Sequence, residues 1–136
     1  MILRSPEELQ PLARDLLEQL PAGSLLLLDG PMGAGKTTLV QALAAALGSE
    51  ASVSSPTYTL IHEYPTGSGT LVHIDAWRLP NAADLIDSGL DDYLDIARLV
   101  AVEWGADLLQ HYPSALLVRM NLNDDGTRTV TVGASE

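Results

Sequence analysis

The sequence contains no cysteine, and its seven basic residues face eighteen acidic ones. Without cysteine, the chain can form neither a disulfide framework nor a thiolate metal site. Its apolar runs are far shorter than the roughly 20 residues that a membrane-spanning helix requires, so we expect no membrane segment. Residues 1–8 lack the basic start, apolar stretch and cleavage site of a secretory signal. We therefore expect a cytoplasmic protein.

The acidic charge also limits the partners of this chain. A formal net charge of −11 repels a phosphate backbone, and no stripe of basic residues offsets it. Direct binding of nucleic acid by this chain alone is therefore not expected.

The whole chain of 136 residues, 1–136, is predicted to form one domain. A domain of this size buries roughly two thirds of the surface that its unfolded chain exposes.

Lysine occurs once, and Lys36 lies in the one motif that requires it. Residues 30–37 (GPMGAGKT) fit the phosphate-binding pattern G-x-x-x-x-G-K-[ST]. Four leucines at 25–28 precede the motif, and helix-forming residues 39–47 follow it and end before Gly48. The sequence therefore predicts a strand, a phosphate-binding loop (P-loop) and a helix in that order, which is the setting that the motif requires.

The residue types of the motif suit a nucleoside triphosphate. Its glycines permit a tight turn in which successive backbone N–H groups point at an anion. Lys36 is expected to reach the β and γ phosphates, and Thr37 is expected to offer its hydroxyl to Mg²⁺. We predict that ATP and Mg²⁺ bind here, with nucleotide contacts at Gly30, Met32, Gly33, Ala34, Gly35, Lys36, Thr37 and Thr38.

Apolar strands and helical segments share the rest of the chain, which predicts an α/β fold. Strands are expected at 25–28, 71–75, 99–104 and 116–122, and helices at 5–20, within 80–95 and at 106–110. Two antiparallel hairpins are expected, one joining 58–64 to 71–75 through a turn at 65–69 and one turning at 123–126. The predicted fold is a P-loop NTPase three-layer sandwich, in which a mainly parallel central sheet carries antiparallel hairpin additions.

Two carboxylates directly follow apolar strands. Asp75 follows 71–74, and Glu103 follows 99–102. A P-loop needs a carboxylate at the end of a neighbouring strand, either to hold Mg²⁺ or to position the attacking water or acceptor. Either residue alone could equally be a surface carboxylate, but the presence of both in a P-loop chain favours function. The catalytic candidates are Lys36, Asp75 and Glu103, whereas His73 in an apolar strand is more typical of a hydrogen-bonded core histidine than of a base.

Four blocks of the sequence together resemble a known family. Residues 30–38 (GPMGAGKTT), 54–58 (SSPTY), 73–79 (HIDAWRL) and 102–104 (VEW) resemble the bacterial TsaE (YjeE) family in order and spacing. This family is the ATPase subunit of tRNA threonylcarbamoyladenosine (t6A) synthesis. The resemblance covers roughly residues 5–122. The sequence departs from the family pattern at two loop positions. Trp77 stands where the family usually has tyrosine, and Gly105 stands where proline is usual.

The resemblance implies a role for each matching residue. Lys36 and Thr37 would bind phosphate and Mg²⁺, Glu103 would complete the metal site, and Asp75 would lie beside the γ-phosphate. Thr57, in a block that resembles a switch loop, would contact the metal or the γ-phosphate. The family also implies assembly with a TsaB–TsaD type complex, in which tRNA is a partner only indirectly.

Three other functions compete with this interpretation. A small-molecule kinase of the nucleotide or shikimate type shares the loop, but it needs several arginines around the transferred phosphoryl group. After the P-loop the chain offers only Arg78, Arg98, Arg119 and Arg128, of which only Arg78 adjoins a motif block. A GTPase lacks support because no N-K-x-D motif exists. A nucleotide-dependent switch that does not hydrolyse ATP remains open.

Overall fold

The computed structural model describes residues 1–31, 33–49, 61–75, 86, 89–104 and 106–133. Within these ranges the α-helices are α1 (Leu9–Gln19), α2 (Lys36–Leu47) and α3 (Leu90–Ile96), and short 3₁₀ helices span Pro6–Glu8 and Ala106–Gln110. The strands are β1 (Ile2–Leu3), β2 (Ser24–Asp29), β3 (Ile61–Thr66), β4 (Gly69–Asp75), β5 (Leu99–Glu103), β6 (Leu116–Leu122) and β7 (Arg128–Val132). None of the helices in these ranges is long and apolar enough to cross a membrane.

The strands form a single sheet in the order β1-β7-β6-β2-β5-β4-β3. The four central strands β6, β2, β5 and β4 are parallel, whereas β3 pairs antiparallel with β4, and β7 pairs antiparallel with both β6 and β1. This arrangement confirms the predicted α/β fold with a mainly parallel centre and antiparallel hairpin additions. Because β2 lies between β5 and β6, the P-loop that follows it leaves the middle of the sheet.

The central strands are apolar because helices cover both of their faces. Along β2, alternate leucines belong to two different clusters. Leu26 and Leu28 pack with residues of α1 and α2, whereas Leu25 and Leu27 pack with residues of α3 and the second 3₁₀ helix. The side-chain alternation of a strand thus joins one strand to two helical layers. The predicted three-layer arrangement follows from this packing.

The start of the first helix and the first hairpin turn differ in detail from the sequence-based expectation. The predicted helix at 5–20 opens with a 3₁₀ turn at Pro6–Glu8, and the carboxylate of Glu8 accepts a hydrogen bond from the N–H of Arg4. The predicted turn at 65–69 is shorter, because Pro65 pairs with Thr70 within the hairpin. Strand β3 is an edge strand, so the missing N–H of proline costs no ladder bond there.

The two-residue strand β1 was not expected, and it joins the sheet through β7. The N–H of Val130 donates to the carbonyl of Met1. The described residues leave out 58–60, Met32, Thr57, Arg78 and most of 80–88, the first part of the predicted helical segment 80–95, whereas α3 lies in its second part.

Replacing Gly30 with alanine should destabilise the protein by about 3 kcal/mol. Gly30 has a φ of 145°, and a Cβ at this position would overlap the carbonyl oxygen of Met120. Both the unusual backbone conformation and the overlap oppose any side chain. Chemical denaturation without nucleotide would measure the loss. Gly33→Ala is the matched control, because that position also has a positive φ (82°) but no atom within 4 Å of the added Cβ. Equal losses in the two variants would show that the contact with Met120 does not matter.

Candidate functional site

The P-loop connects the end of β2 to the first residue of α2. Gly35, immediately before the helix, has a left-handed φ of 108°, and its carbonyl accepts the first helical hydrogen bond from the N–H of Leu39 at 2.9 Å. A left-handed residue at this point is what glycine allows at little cost. The amino end of α2 therefore faces the loop, and its unpaired N–H groups favour an anion there.

Lys36 lies at this amino end, and its side chain is almost wholly buried, with 5% of the residue exposed. Its Nζ donates hydrogen bonds to the carbonyls of Gly30 and Pro31. The same atom lies 3.5 Å from the centre of the Trp104 ring, a cation–π distance. Burial lowers the pKa of Lys36 below its ordinary value, although the negative charges of nearby carboxylates oppose the shift. Lys36 is thus a buried cation that carboxylates help to keep charged.

The carboxylates in question are Glu103, Asp29 and Asp75. They end the parallel strands β5, β2 and β4, so all three lie at the carboxyl edge of the sheet, within electrostatic reach of Lys36. Asp75 and Glu103 are register partners, and Glu103 is also paired with Leu28, the residue before Asp29. The structure thus brings together the two predicted carboxylates and adds a third.

Asp29 was not selected from the sequence, because it directly precedes the P-loop glycine and has no motif position of its own. Its Oδ2 lies 3.4 Å from Arg119 Nη1, on the neighbouring strand β6. This ion pair is partly exposed, with about half of the Arg119 side chain accessible, so it contributes little to stability.

Glu103 connects the P-loop helix to the sheet. Its Oε2 accepts a hydrogen bond from the Thr37 hydroxyl at 3.1 Å and lies 2.5 Å from Nε2 of His73. Glu103 is 5% exposed and His73 is fully buried. The structure therefore places the predicted metal candidates, Thr37 and Glu103, in direct contact beside Lys36.

Trp104, the residue after β5, forms one side of the site. It has a left-handed φ of 63°, which is uncommon for a residue other than glycine. Its N–H donates to the carbonyl of Leu28 at 2.8 Å, so β5 remains attached to β2 beyond its last strand residue. This turn of the backbone puts the indole ring against Lys36.

A cavity of about 400 Å³ opens over these residues, a volume typical of small-molecule sites. The P-loop and the first turn of α2 form one wall, and Asp75, Glu103 and Trp104 form another. The N-terminal segment contributes apolar side chains to the same cavity, together with Met120. The cavity therefore has one end lined by the P-loop and Lys36, which favour an anion, and one apolar end.

Arg128 is a residue of this site that the sequence did not reveal. Its Nη2 donates to the carbonyl of Gly33 at 3.1 Å, and its Nη1 donates to the carbonyl of Gly126 at 3.0 Å. Arg128 and Arg4 both line the cavity. Along the chain only Arg78 adjoins a motif block, but in space Arg128 contacts the P-loop as well. Sequence proximity could not indicate this contact, because it depends on the position of the terminal hairpin beside β2.

The oxygen groups at the cavity suit Mg²⁺, which usually binds one or two protein oxygens together with substrate phosphates. The hydroxyl of Thr37 and the carboxylate of Glu103 provide such a pair. In the part of the chain that the structure describes, no group of three or more His, Cys, Asp or Glu side chains could hold a metal ion by itself.

The parallel sheet, the glycine-rich loop at the end of β2 and the helix that begins at Lys36 define a P-loop NTPase-type fold. Residues 3–130 match the family described as "Threonylcarbamoyl adenosine biosynthesis protein TsaE". The chain therefore belongs to the TsaE family.

Individual relatives agree with this assignment. A protein of Aquifex aeolicus named tRNA threonylcarbamoyladenosine biosynthesis protein TsaE is 35% identical, over 97% of this chain and 93% of its own length. Proteins of the same name from Nostoc sp. and Bacillus subtilis are 38% and 34% identical, over 85% and 96% of this chain and 73% and 82% of their own lengths. This chain superposes on the crystal structure of Bacillus subtilis YdiB with a TM-score of 0.76 at 28% identity. The match covers 99% of this chain and 84% of the YdiB chain.

Replacing Arg128 with glutamine should loosen the P-loop. The substitution removes hydrogen bonds to two carbonyls, and we expect the free energy of unfolding to fall by about 1 kcal/mol. Amide hydrogen exchange at residues 33–37 should become faster, because Gly33 loses its link to the terminal hairpin. Arg119→Gln is the control, since it removes an equal charge from the partly exposed pair with Asp29. Unchanged exchange in the P-loop of the Arg128 variant would contradict the expected bracing.

Proposed function

We propose that this protein is an Mg²⁺-dependent ATPase that acts in the biosynthesis of tRNA threonylcarbamoyladenosine. Its membership of the TsaE family supports a role in this biosynthesis. The observation that carries the enzymatic part is the contact of Thr37 with Glu103, at 3.1 Å, beside the buried ammonium of Lys36. A hydroxyl, a carboxylate and a cation at the amino end of one helix are the groups that a Mg²⁺–triphosphate needs.

Each group has a separate task in this proposal. Lys36 and the N–H groups of residues 33–38 bind the phosphates, and Thr37 and Glu103 hold Mg²⁺. The bound metal would offset the negative charge that develops on the phosphate oxygens. Asp75, at the end of the strand beside Glu103, orients the attacking water. Met32 and Thr57 remain proposed contacts that lie outside the described residues.

The remaining part of the proposal is an assembly with a TsaB–TsaD type complex. The names of the relatives refer to the modification of a tRNA, whereas this chain carries a net charge of −11. A strongly acidic protein is repelled by tRNA, so contact through other proteins is favoured. We further propose that partner binding accelerates hydrolysis. The guanidinium of Arg128 already bonds two backbone carbonyls, which limits its use for transition-state charge.

A small-molecule kinase is the second candidate, and one observation favours it. Arg4 and Arg128 both line the cavity, so two cationic side chains are present where a kinase would need them. The two candidates differ in what they require, because only the kinase needs an acceptor before it consumes ATP.

Phosphate release from ATP, without any acceptor, is the experiment that tests the proposed function. We expect slow release by the protein alone and faster release with TsaB and TsaD present, because an added arginine contributes roughly 10³ to 10⁵ to the kcat of GTPases. Lys36→Ala should abolish both binding of ATP, measured by calorimetry, and release of phosphate. Arg119→Ala, which removes one positive charge from β6 beside β2, should retain both ATP binding and phosphate release.

Three results would contradict the proposal. ATP consumption that requires an acceptor would identify a kinase, and ATP binding without any release would identify a switch. Release that is fast and independent of the partner proteins would refute the proposed stimulation.

Replacing Asp75 with asparagine should lower kcat by about 10²-fold and change the affinity for ATP much less. A residue that orients the attacking water acts in the transition state, whereas a carboxylate near a phosphate does not help ground-state binding. Steady-state hydrolysis and calorimetric titration of the same variant would separate the two effects. Asp91→Asn is the control, because Asp91 lies in α3, accepts a hydrogen bond from the Tyr112 hydroxyl and is not among the residues that line the cavity. A loss of affinity with unchanged turnover per bound nucleotide would contradict the assigned role.

A further inference from the structure

We infer that His73 is a positioning residue, which fixes the carboxylate of Glu103 in the orientation that Mg²⁺ binding requires. This inference rests on the proposed function, because it concerns the metal site of that function. His73 lies in β4 and is fully buried. The residues beside it, Leu71, Val72 and Ile74, are buried and apolar. A histidine in this strand therefore needs a specific reason.

The register of β4 and β5 brings His73 to Glu103. His73 is paired with Ala101, and Asp75 is paired with Glu103. Because side chains alternate along a strand, Ala101 and Glu103 point to the same face, and His73 reaches Glu103 diagonally across the pair. The Nε2 of His73 lies 2.5 Å from the Oε2 of Glu103. This contact between adjacent strands does not depend on a loop.

Among the described residues, the ring of His73 makes a hydrogen bond through Nε2 alone. Nδ1 of His73 is buried and has no hydrogen-bond partner among the described residues. A buried acceptor without a partner is costly, and an apolar side chain of similar size would avoid that cost. Nε2 must carry a proton to donate to the carboxylate, and within the described ranges the bond to Glu103 is the one hydrogen bond of this ring. A position that only required packing would favour leucine here.

The bond to His73 acts on the atom that also contacts the P-loop. Oε2 of Glu103 is hydrogen-bonded both to the hydroxyl of Thr37 and to the ring of His73. Two donors on one oxygen restrict rotation of the carboxylate, so less ordering is needed when the metal binds. Groups that orient metal ligands in this way typically contribute 10- to 100-fold to metal affinity or activity.

The test measures the Mg²⁺ concentration that gives half-maximal binding of a non-hydrolysable ATP analogue, by calorimetry on the intact protein. His73→Leu should raise this concentration by 10- to 100-fold. His73→Gln, whose amide N–H reaches about as far as Nε2, should stay within a few-fold of the parent. His62→Leu is the matched control, because His62 is the register partner of His73 in β3 and contacts Tyr64 instead.

A second pair of variants covers the case in which His73→Leu does not fold. His73→Asn keeps a polar side chain but is too short to reach Glu103, so it should show the raised Mg²⁺ requirement that His73→Gln does not. Nitrogen NMR of the parent without nucleotide should also show the proton on Nε2. A spectrum with the proton on Nδ1 would overturn the inference.

The outcomes separate this inference from the proposed function. If the parent requires Mg²⁺ and the leucine and asparagine variants require no more of it, His73 is merely structural and the inference fails alone. If the parent binds the analogue equally well without Mg²⁺, the proposed function fails and the inference fails with it. An equally raised requirement in the leucine, asparagine and glutamine variants would overturn the inference, because the N–H that glutamine retains would then make no difference.

Discussion

The rest of the site depends on the burial of one positive charge. Lys36 is almost inaccessible to solvent, and a buried ammonium group is stable only when other groups replace its water. Two loop carbonyls, an aromatic ring and three carboxylates serve this purpose around Lys36. The carboxylates end neighbouring parallel strands, so the sheet order determines the environment of the lysine. The sheet and the P-loop are therefore electrostatically interdependent.

The same carboxylates create a problem for an anionic ligand. A triphosphate that approaches Lys36 also approaches Glu103, Asp29 and Asp75, in a protein whose net charge is −11. Backbone N–H groups and one ammonium group attract the phosphates, while the carboxylates repel them. A divalent cation between the phosphates and Glu103 would turn part of that repulsion into attraction. The proposed dependence on Mg²⁺ therefore follows from the charge balance as well as from the motif.

The sequence predicted the parts of the fold that local patterns determine. The four leucines of β2, the helix that ends before Gly48 and strand β6 at 116–122 lie where they were expected. The partners of His73 and Arg128 could not be predicted, because each contact depends on strand pairing between distant segments. His73 reaches Glu103 through the register of β4 and β5, and Arg128 reaches Gly33 because β7 follows β6 beside β2. The roles given to Met32 and Thr57, like those given to the other site residues, remain predictions.

The glycines of the P-loop are conformationally free residues that are held in place by rigid neighbouring strands. Glycines can form the tight turn of a P-loop because they are conformationally free. Electrostatic catalysis, however, requires groups that do not reorganise during the reaction. Strand β6 restricts Gly30 through the backbone of Met120, and the adjoining hairpin restrains Gly33 through Arg128. His73 and Thr37 restrain Glu103 on the opposite side. Each restraint comes from a strand or helix of the central sheet assembly, so the order of the loop derives from the order of the core.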